Sequence, residues 1–173
     1  VWRRRPWKDA THAVAHCYRG LADFADALAR MYSGLTPAAG PQAWTAVTKP
    51  QRSAQRAALE AARGRIREVQ DTRPSRRARA NQLTYLLDSA EDSFIALVAC
   101  ADLLESHAPH WLGRSAGAHL SHALHRYASV CNAIASTSDV SDPKQAQCLR
   151  ERLAHYGAGL HDLRGGAMAY APD

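Results

Sequence analysis

Between Pro6 and Ser33, apolar side chains return at alternating intervals of four and three residues: Val14, Tyr18, Leu21, Ala25, Leu28 and Tyr32, with Cys17, Phe24 and Met31 beside them. A backbone that turns every 3.6 residues gathers all of these on one broad face, whereas a strand would divide them between two faces. The row predicts one amphipathic helix, about 40 Å long at 1.5 Å per residue. Pro6 suits a first helical turn, and Gly34 followed by Leu35-Thr36-Pro37 supplies the stop.

The rest of the chain repeats this periodicity. Pro37 to Lys49, which holds Pro37, Gly40 and Pro41, reads as a loop pinned to the bundle by Trp44 and Val47. A second helix is expected from about Pro50 to Asp71, with Ala58, Leu59, Ala62, Ile66 and Val69 inward. Arg52, Arg56, Arg63, Arg65 and Arg67 crowd its other faces and make it the most exposed helix. Thr72-Arg73-Pro74-Ser75 breaks the chain before a third helix, about Ser75 to His107, whose row of Leu83, Leu86, Leu87, Ala90, Phe94, Leu97, Val98, Ala101 and Leu104 is the most apolar and is expected at the centre. Pro109 ends it. A fourth helix from about Trp111 to Ser136 carries Leu112, Ala116, Leu120, Leu124, Tyr127, Val130, Cys131 and Ile134, and a fifth from about Pro143 to Leu163 carries Leu149, Leu153, Tyr156, Leu160 and Leu163. Residues 165–173 read as a linker.

No segment alternates with period two. The expected fold is therefore all-α, an antiparallel bundle of four to five long helices forming a single domain over residues 1–173. Leu21, Leu28, Leu87, Phe94, Leu97, Leu120, Leu124 and Leu153 are expected to share one core.

Composition narrows the function. A chain of 173 residues, 46% hydrophobic with much of that alanine, builds a core without staples and favours helix. Cys17, Cys100, Cys131 and Cys148 are far apart with no C-x-x-C pair, which speaks against a zinc ribbon, a redox dithiol or a disulfide framework and for buried apolar thiols in a reducing compartment. The net charge is +6, but arginine supplies 19 of the 22 basic residues, a bias that base composition alone can produce, so charge does not establish a nucleic-acid partner. Nothing resembles a helix-turn-helix or an aromatic stacking surface, and no nucleic acid is expected. The longest apolar run, Phe94 to Ala101, is far short of the ~20 residues that span a bilayer.

The chemical constellations are sparse. His12 and His16 share a helix face, but no carboxylate is placed as in H-E-x-x-H, and no metal is expected. His119, His122 and His125 fan around the fourth helix, with His119 nearest the core. Asp88, Glu91 and Asp92 form an acidic cluster without the E-x-x-H pairs of a di-iron bundle, and pairing with arginines of a neighbouring helix is the simpler role. There is no phosphate loop and no nucleophile elbow, so neither catalytic residues nor a cofactor are expected. Arg73, Arg76, Arg77 and Arg79 surround a helix start, where positive charge opposes the helix dipole, and this marks them as a candidate basic surface facing an acidic partner. Arg3, Arg4 and Arg5 behind Val1-Trp2 look like the cytoplasmic edge of a transmembrane helix at a cut end: an interfacial tryptophan, then positive charge held inside.

Two stretches carry a family resemblance. Arg3 to Tyr32, with Arg5-Pro6 opening a long helix around Tyr18-Arg19-Gly20-Leu21-Ala22, resembles the segment that follows the first transmembrane block in fusaric acid resistance (FUSC) family proteins. Ala80 to Glu105, A-N-Q-L-T-Y-L-L-D-S-A-E-D-S-F-I-A-L-V-A-C-A-D-L-L-E, is a second similar stretch, and the arginine-rich helix between them also fits. The motifs are helical patterns rather than chemical signatures, and nothing after about Pro109 is matched. The resemblance implies a soluble helical domain on the cytoplasmic side of an inner-membrane exporter of aromatic acids and related toxic compounds, with a structural, assembly or gating role. It implies partners too: the transmembrane blocks of the same polypeptide, other copies in a homo-oligomer, and a periplasmic adaptor reached through the full transporter. Arg3, Arg4 and Arg5 would then be membrane-proximal. The alternative is a freestanding helical interaction or regulatory module with a basic surface.

Overall fold

A computed structural model of the chain describes residues 6–33, 41–72, 77–107 and 114–137, and every one of them is helical. The elements are α1 (Pro6–Ser33), α2 (Pro41–Thr72), α3 (Arg77–His107) and α4 (Arg114–Thr137). The all-α bundle expected from the periodicity is what forms. The bounds of α1 coincide with the reading from its row, and its ends suit the helix dipole, with Asp9 in the first turn and Arg30 in the last. The expected fifth helix, the linker over 165–173 and Leu153 lie outside the described residues.

Side-chain bonds fix the helix directions. The Tyr18 hydroxyl donates to the carbonyl of Leu86 at 2.9 Å, and the Tyr32 hydroxyl donates to that of Cys100 at 2.8 Å. Both pairs advance by fourteen residues, so α1 and α3 run parallel over about 21 Å. Along α2 and α3 the partners instead run in opposite senses, from Thr48 with Glu105, through Arg63 with Glu91, to Gln70 with Thr84, which makes that pair antiparallel. Asp26 meets His125 while Tyr18 lies near Cys131, so α4 is antiparallel to α1. The order is up, down, up, down.

The centre is α1, not α3. Fourteen of the 28 residues of α1 are buried, and it packs against all three other helices. Its buried positions span about half its circumference, and alanines among them (Ala15, Ala22, Ala25, Ala29) let α4 run close with its own small buried row of Ser121, Ala128, Cys131 and Ala135. On α3, Leu83, Leu87, Ala90, Phe94, Leu97, Ala101 and Leu104 are buried as the row required, but Tyr85, Ile95 and Leu103 remain 75%, 66% and 46% exposed on other faces. Its apolar residues are divided between two sides, so α3 covers the core rather than forming its axis. Of the expected core, Leu21, Leu28, Leu87, Phe94, Leu97 and Leu124 are buried, and Leu120 packs against the cluster from its edge.

The second helix begins nine residues earlier than its sequence suggests. Proline lacks the N–H and crowds the carbonyl four residues back, which is why Pro50 reads as a start. In the structure α2 opens at Pro41, a favourable first-turn proline, and continues through Pro50, which is exposed. Trp44 and Thr48 hold this first part down because both are buried. Trp44 pins the chain as expected, but from a helix, and Val47 is 44% exposed and pins nothing.

Candidate functional site

Two polar constellations sit on α2, one on each side. The first is a seam with α3. The carboxylate of Glu105 accepts from Thr45 at 3.2 Å, from the buried Thr48 and from Arg52 at 2.9 Å, and Arg52 also reaches Asp102 at 2.8 Å. About three turns on, Arg63 bridges Glu60 of its own helix and Glu91 of α3. These charges are spent on one another, and the acidic cluster read on α3 contributes Glu91 to this arrangement as expected. The seam is a clasp between helices.

The second is a groove of about 320 Å³ between α1 and α2. His16, Arg19, Gly20 and Asp23 line it from α1, and Gln51, Ala54, Gln55 and Ala58 line it from α2. Each set is spaced i, i+3, i+4, i+7, the pattern that keeps four residues on one helical face. Gly20, Ala54 and Ala58 are too small to fill the space between the helices. Gln55 closes the floor: it is 2% exposed, and its Nε2 donates to the Cys17 carbonyl at 3.1 Å. Its Oε1 is buried, accepts no hydrogen bond and rests against Gly20, where a Cβ would fall well inside contact distance.

Above this floor stand an imidazole, a guanidinium and a carboxylate, all on exposed residues of α1. Arg19 donates from Nε to the carbonyl of Ala15 at 3.4 Å, which leaves its terminal nitrogens toward solvent. The neighbouring Cys17 is no nucleophile for this groove: it faces the core, and burial pushes its thiol up to about 12. Cys131 is likewise buried, with its thiol raised to about 11 by desolvation. The groove can hold charged and hydrogen-bonding groups, and no activated nucleophile lines it.

Of the residues singled out from sequence, His16 lines the groove. Arg3, Arg4, Arg5, Arg73 and Arg76 lie outside the described residues, and Arg77 and Arg79 stand in the first turn of α3 with side chains that are not described. His12, His16, His119 and His122 are exposed, so His119 does not border the core. His125, also exposed, is tied to α1, with Nδ1 2.8 Å from Asp26 Oδ1. Among the described residues no three histidine, cysteine or acidic side chains converge as a metal site, and no helix is long and apolar enough to cross a membrane.

The groove was missed because its residues carry no motif. A signal was nevertheless present: the buried row of α2, Leu59, Ala62, Ile66 and Val69, continues backward at the same spacing through Gln55, Arg52 and Thr48. A polar residue on the inward row marks either a clasp or a site.

Compared with protein families, characterised proteins and solved structures, the chain shows no match.

Proposed function

We propose that this chain is a non-catalytic contact module, the cytoplasmic helical bundle of an inner-membrane exporter resembling the FUSC family, where it supports assembly or gating of the transmembrane blocks. The observation that carries this reading is the placement of the two family-like stretches. Arg3 to Tyr32 and Ala80 to Glu105, separated by nearly fifty residues of sequence, supply α1 and α3, and these lie parallel and are tied by the Tyr18 and Tyr32 hydroxyls. Tyr18 is also the aromatic residue of the motif on which the resemblance rests.

A contact role is further supported by the outer side of α3. Tyr85 and Leu103 are eighteen residues apart on one line of the helix, about 27 Å, with Ile95 to one side and Ala96 and Ala99 between them. A single helix pair of that length buries less than the roughly 1,200 Å² of a stable standard interface. Self-association through this face therefore belongs to the intact protein, and the isolated domain is monomeric at low concentration.

The test is topology in the full-length protein. A fluorescent reporter fused after Arg5 should be active and an alkaline phosphatase fused there inactive, because arginines beside a membrane span are retained on the cytoplasmic side. Phosphatase activity at that fusion would reject the orientation. A native reading frame with no apolar run of ~20 residues on either side would reject the exporter and leave the freestanding module.

A further inference from the structure

We propose that the α1–α2 groove binds a small zwitterion, an α-amino acid or a compound with the same adjacent charges, with its carboxylate on Arg19 and its ammonium on Asp23. This is independent of the exporter reading, since it rests only on the groove's own residues.

Arg19 and Asp23 are one helical turn apart, which places their Cβ atoms roughly 5 to 6 Å from each other. At that spacing opposite charges commonly pair, but arginine preceding the acid is the weaker order on a helix, and here the two do not close on each other. Among the described residues no carboxylate pairs with Arg19 and no cation pairs with Asp23. A ligand bearing both charges on one carbon satisfies both residues at once, whereas a simple anion would leave Asp23 facing it with like charge. His16, one turn before Gly20 on the same face, adds a nitrogen to the carboxylate end.

The rest of the groove suits the remainder of such a molecule. Gln51 offers an amide donor and acceptor from the opposite wall, and Gly20, Ala54 and Ala58 form an apolar surface for a short hydrocarbon side chain. The volume, about 320 Å³, is at the small end of ligand sites, which limits the ligand to amino-acid size. The floor is incomplete in one respect: Gln55 Oε1, buried beside Gly20, accepts no hydrogen bond, so the site holds an unsatisfied acceptor.

Titrating the isotope-labelled 173-residue chain with L-leucine, followed by amide NMR shifts, tests this directly. Saturable shifts over residues 16–23 and 51–58 are expected. The half-molecules 4-methylpentanoate and 3-methylbutylamine should each bind at least about tenfold more weakly, since each lacks one charged contact. Arg19→Gln and Asp23→Asn, both at exposed positions, should each weaken L-leucine by a similar factor without moving the melting temperature. Ala54→Trp, also exposed, should fill the groove and abolish the shifts. Absence of saturable shifts at millimolar L-leucine, equal binding of either half-molecule, or a response that survives Arg19→Gln would each overturn the proposal.

Discussion

Gly20 illustrates how a single residue can be read in two opposing ways. A glycine inside a helix costs about 1 kcal/mol relative to alanine, so replacing it should stabilise α1. The carboxamide of Gln55, however, already occupies the space a methyl group would take. The far end of a side chain can move, but Gln55 is buried and tied to the Cys17 carbonyl, so movement breaks that bond. We expect Gly20→Ala to lower stability by about 1 kcal/mol in the natural chain and to raise it by about as much in a Gln55→Ala background. Chemical denaturation of the four proteins measures the reversal of sign, and stabilisation in both backgrounds would mean that Gln55 does not lean on Gly20. The buried thiols make a second prediction at this scale. Cys17 and Cys131 are raised from 9.0 to about 12 and about 11 by desolvation. Their folded-state values lie above the unfolded one, so their contribution is complete below pH 9 and is lost as the pH climbs through the folded values. Tyr18, Tyr32 and Tyr127, shifted upward from 10.0 mainly by burial, add to the loss at higher pH. Unfolding free energy should therefore begin to fall near pH 9, and a Cys17→Ala, Cys131→Ala double variant should have a flatter slope between pH 9 and 10.

Among the elements, α1 was fully legible and α2 only in part, and the difference is physical. Helix α1 has an unbroken apolar row with a proline at its first turn and a glycine just past its end, so pattern and punctuation agree. In α2 they conflict. The inward row runs across Pro50 as Trp44, Thr48, Arg52 and Gln55, but only the first of these is apolar; Thr48 and Gln55 are buried and Arg52 half-buried, all three through bonds to α3 or α1 that no local reading can supply. Tertiary contacts thus carry the helix across a proline that disfavours it. Pro50 is exposed and its ring contributes nothing to the core, so Pro50→Ala should restore a backbone hydrogen bond and raise stability by about 1 to 3 kcal/mol. A loss of stability instead would show that the proline is accommodated by a local geometry alanine does not reproduce. The same reasoning assigns the opposite outcome inside the core. Phe94 packs against Phe24 with ring centroids 6.3 Å apart and an interplanar angle of 51°, and Phe94→Ala should cost about 3 to 5 kcal/mol. An unchanged thermal midpoint would remove α3 from the core.

At the scale of the whole molecule, the periodicity of α3 shows how much of a bundle a sequence can reveal. Its nine-residue inward row identified the buried side correctly, with seven buried and Leu86 and Val98 partly so, yet total apolarity suggested a central position that α1 holds instead. What distinguishes the two is the distribution of apolar residues around the helix, concentrated on one half of α1 and spread over two sides of α3. A helix at the axis must be apolar where its neighbours lie, and α3 places Tyr85, Ile95 and Leu103 where α1, α2 and α4 do not bury them. Those three residues separate folding from assembly. Because they are largely exposed within the chain, replacing all three with serine should change the stability of the isolated domain by only about 1 kcal/mol, in contrast to the buried Leu87, Phe94 and Leu97 of the same helix. If this face is where copies of the bundle meet in the intact protein, the triple variant should instead reduce oligomer formation, read as cross-linked species in membranes carrying the full-length chain. A triple variant that unfolds in isolation would show that the face is covered within the chain itself. One that folds normally and still cross-links as the natural protein does would move the contact between copies to another surface.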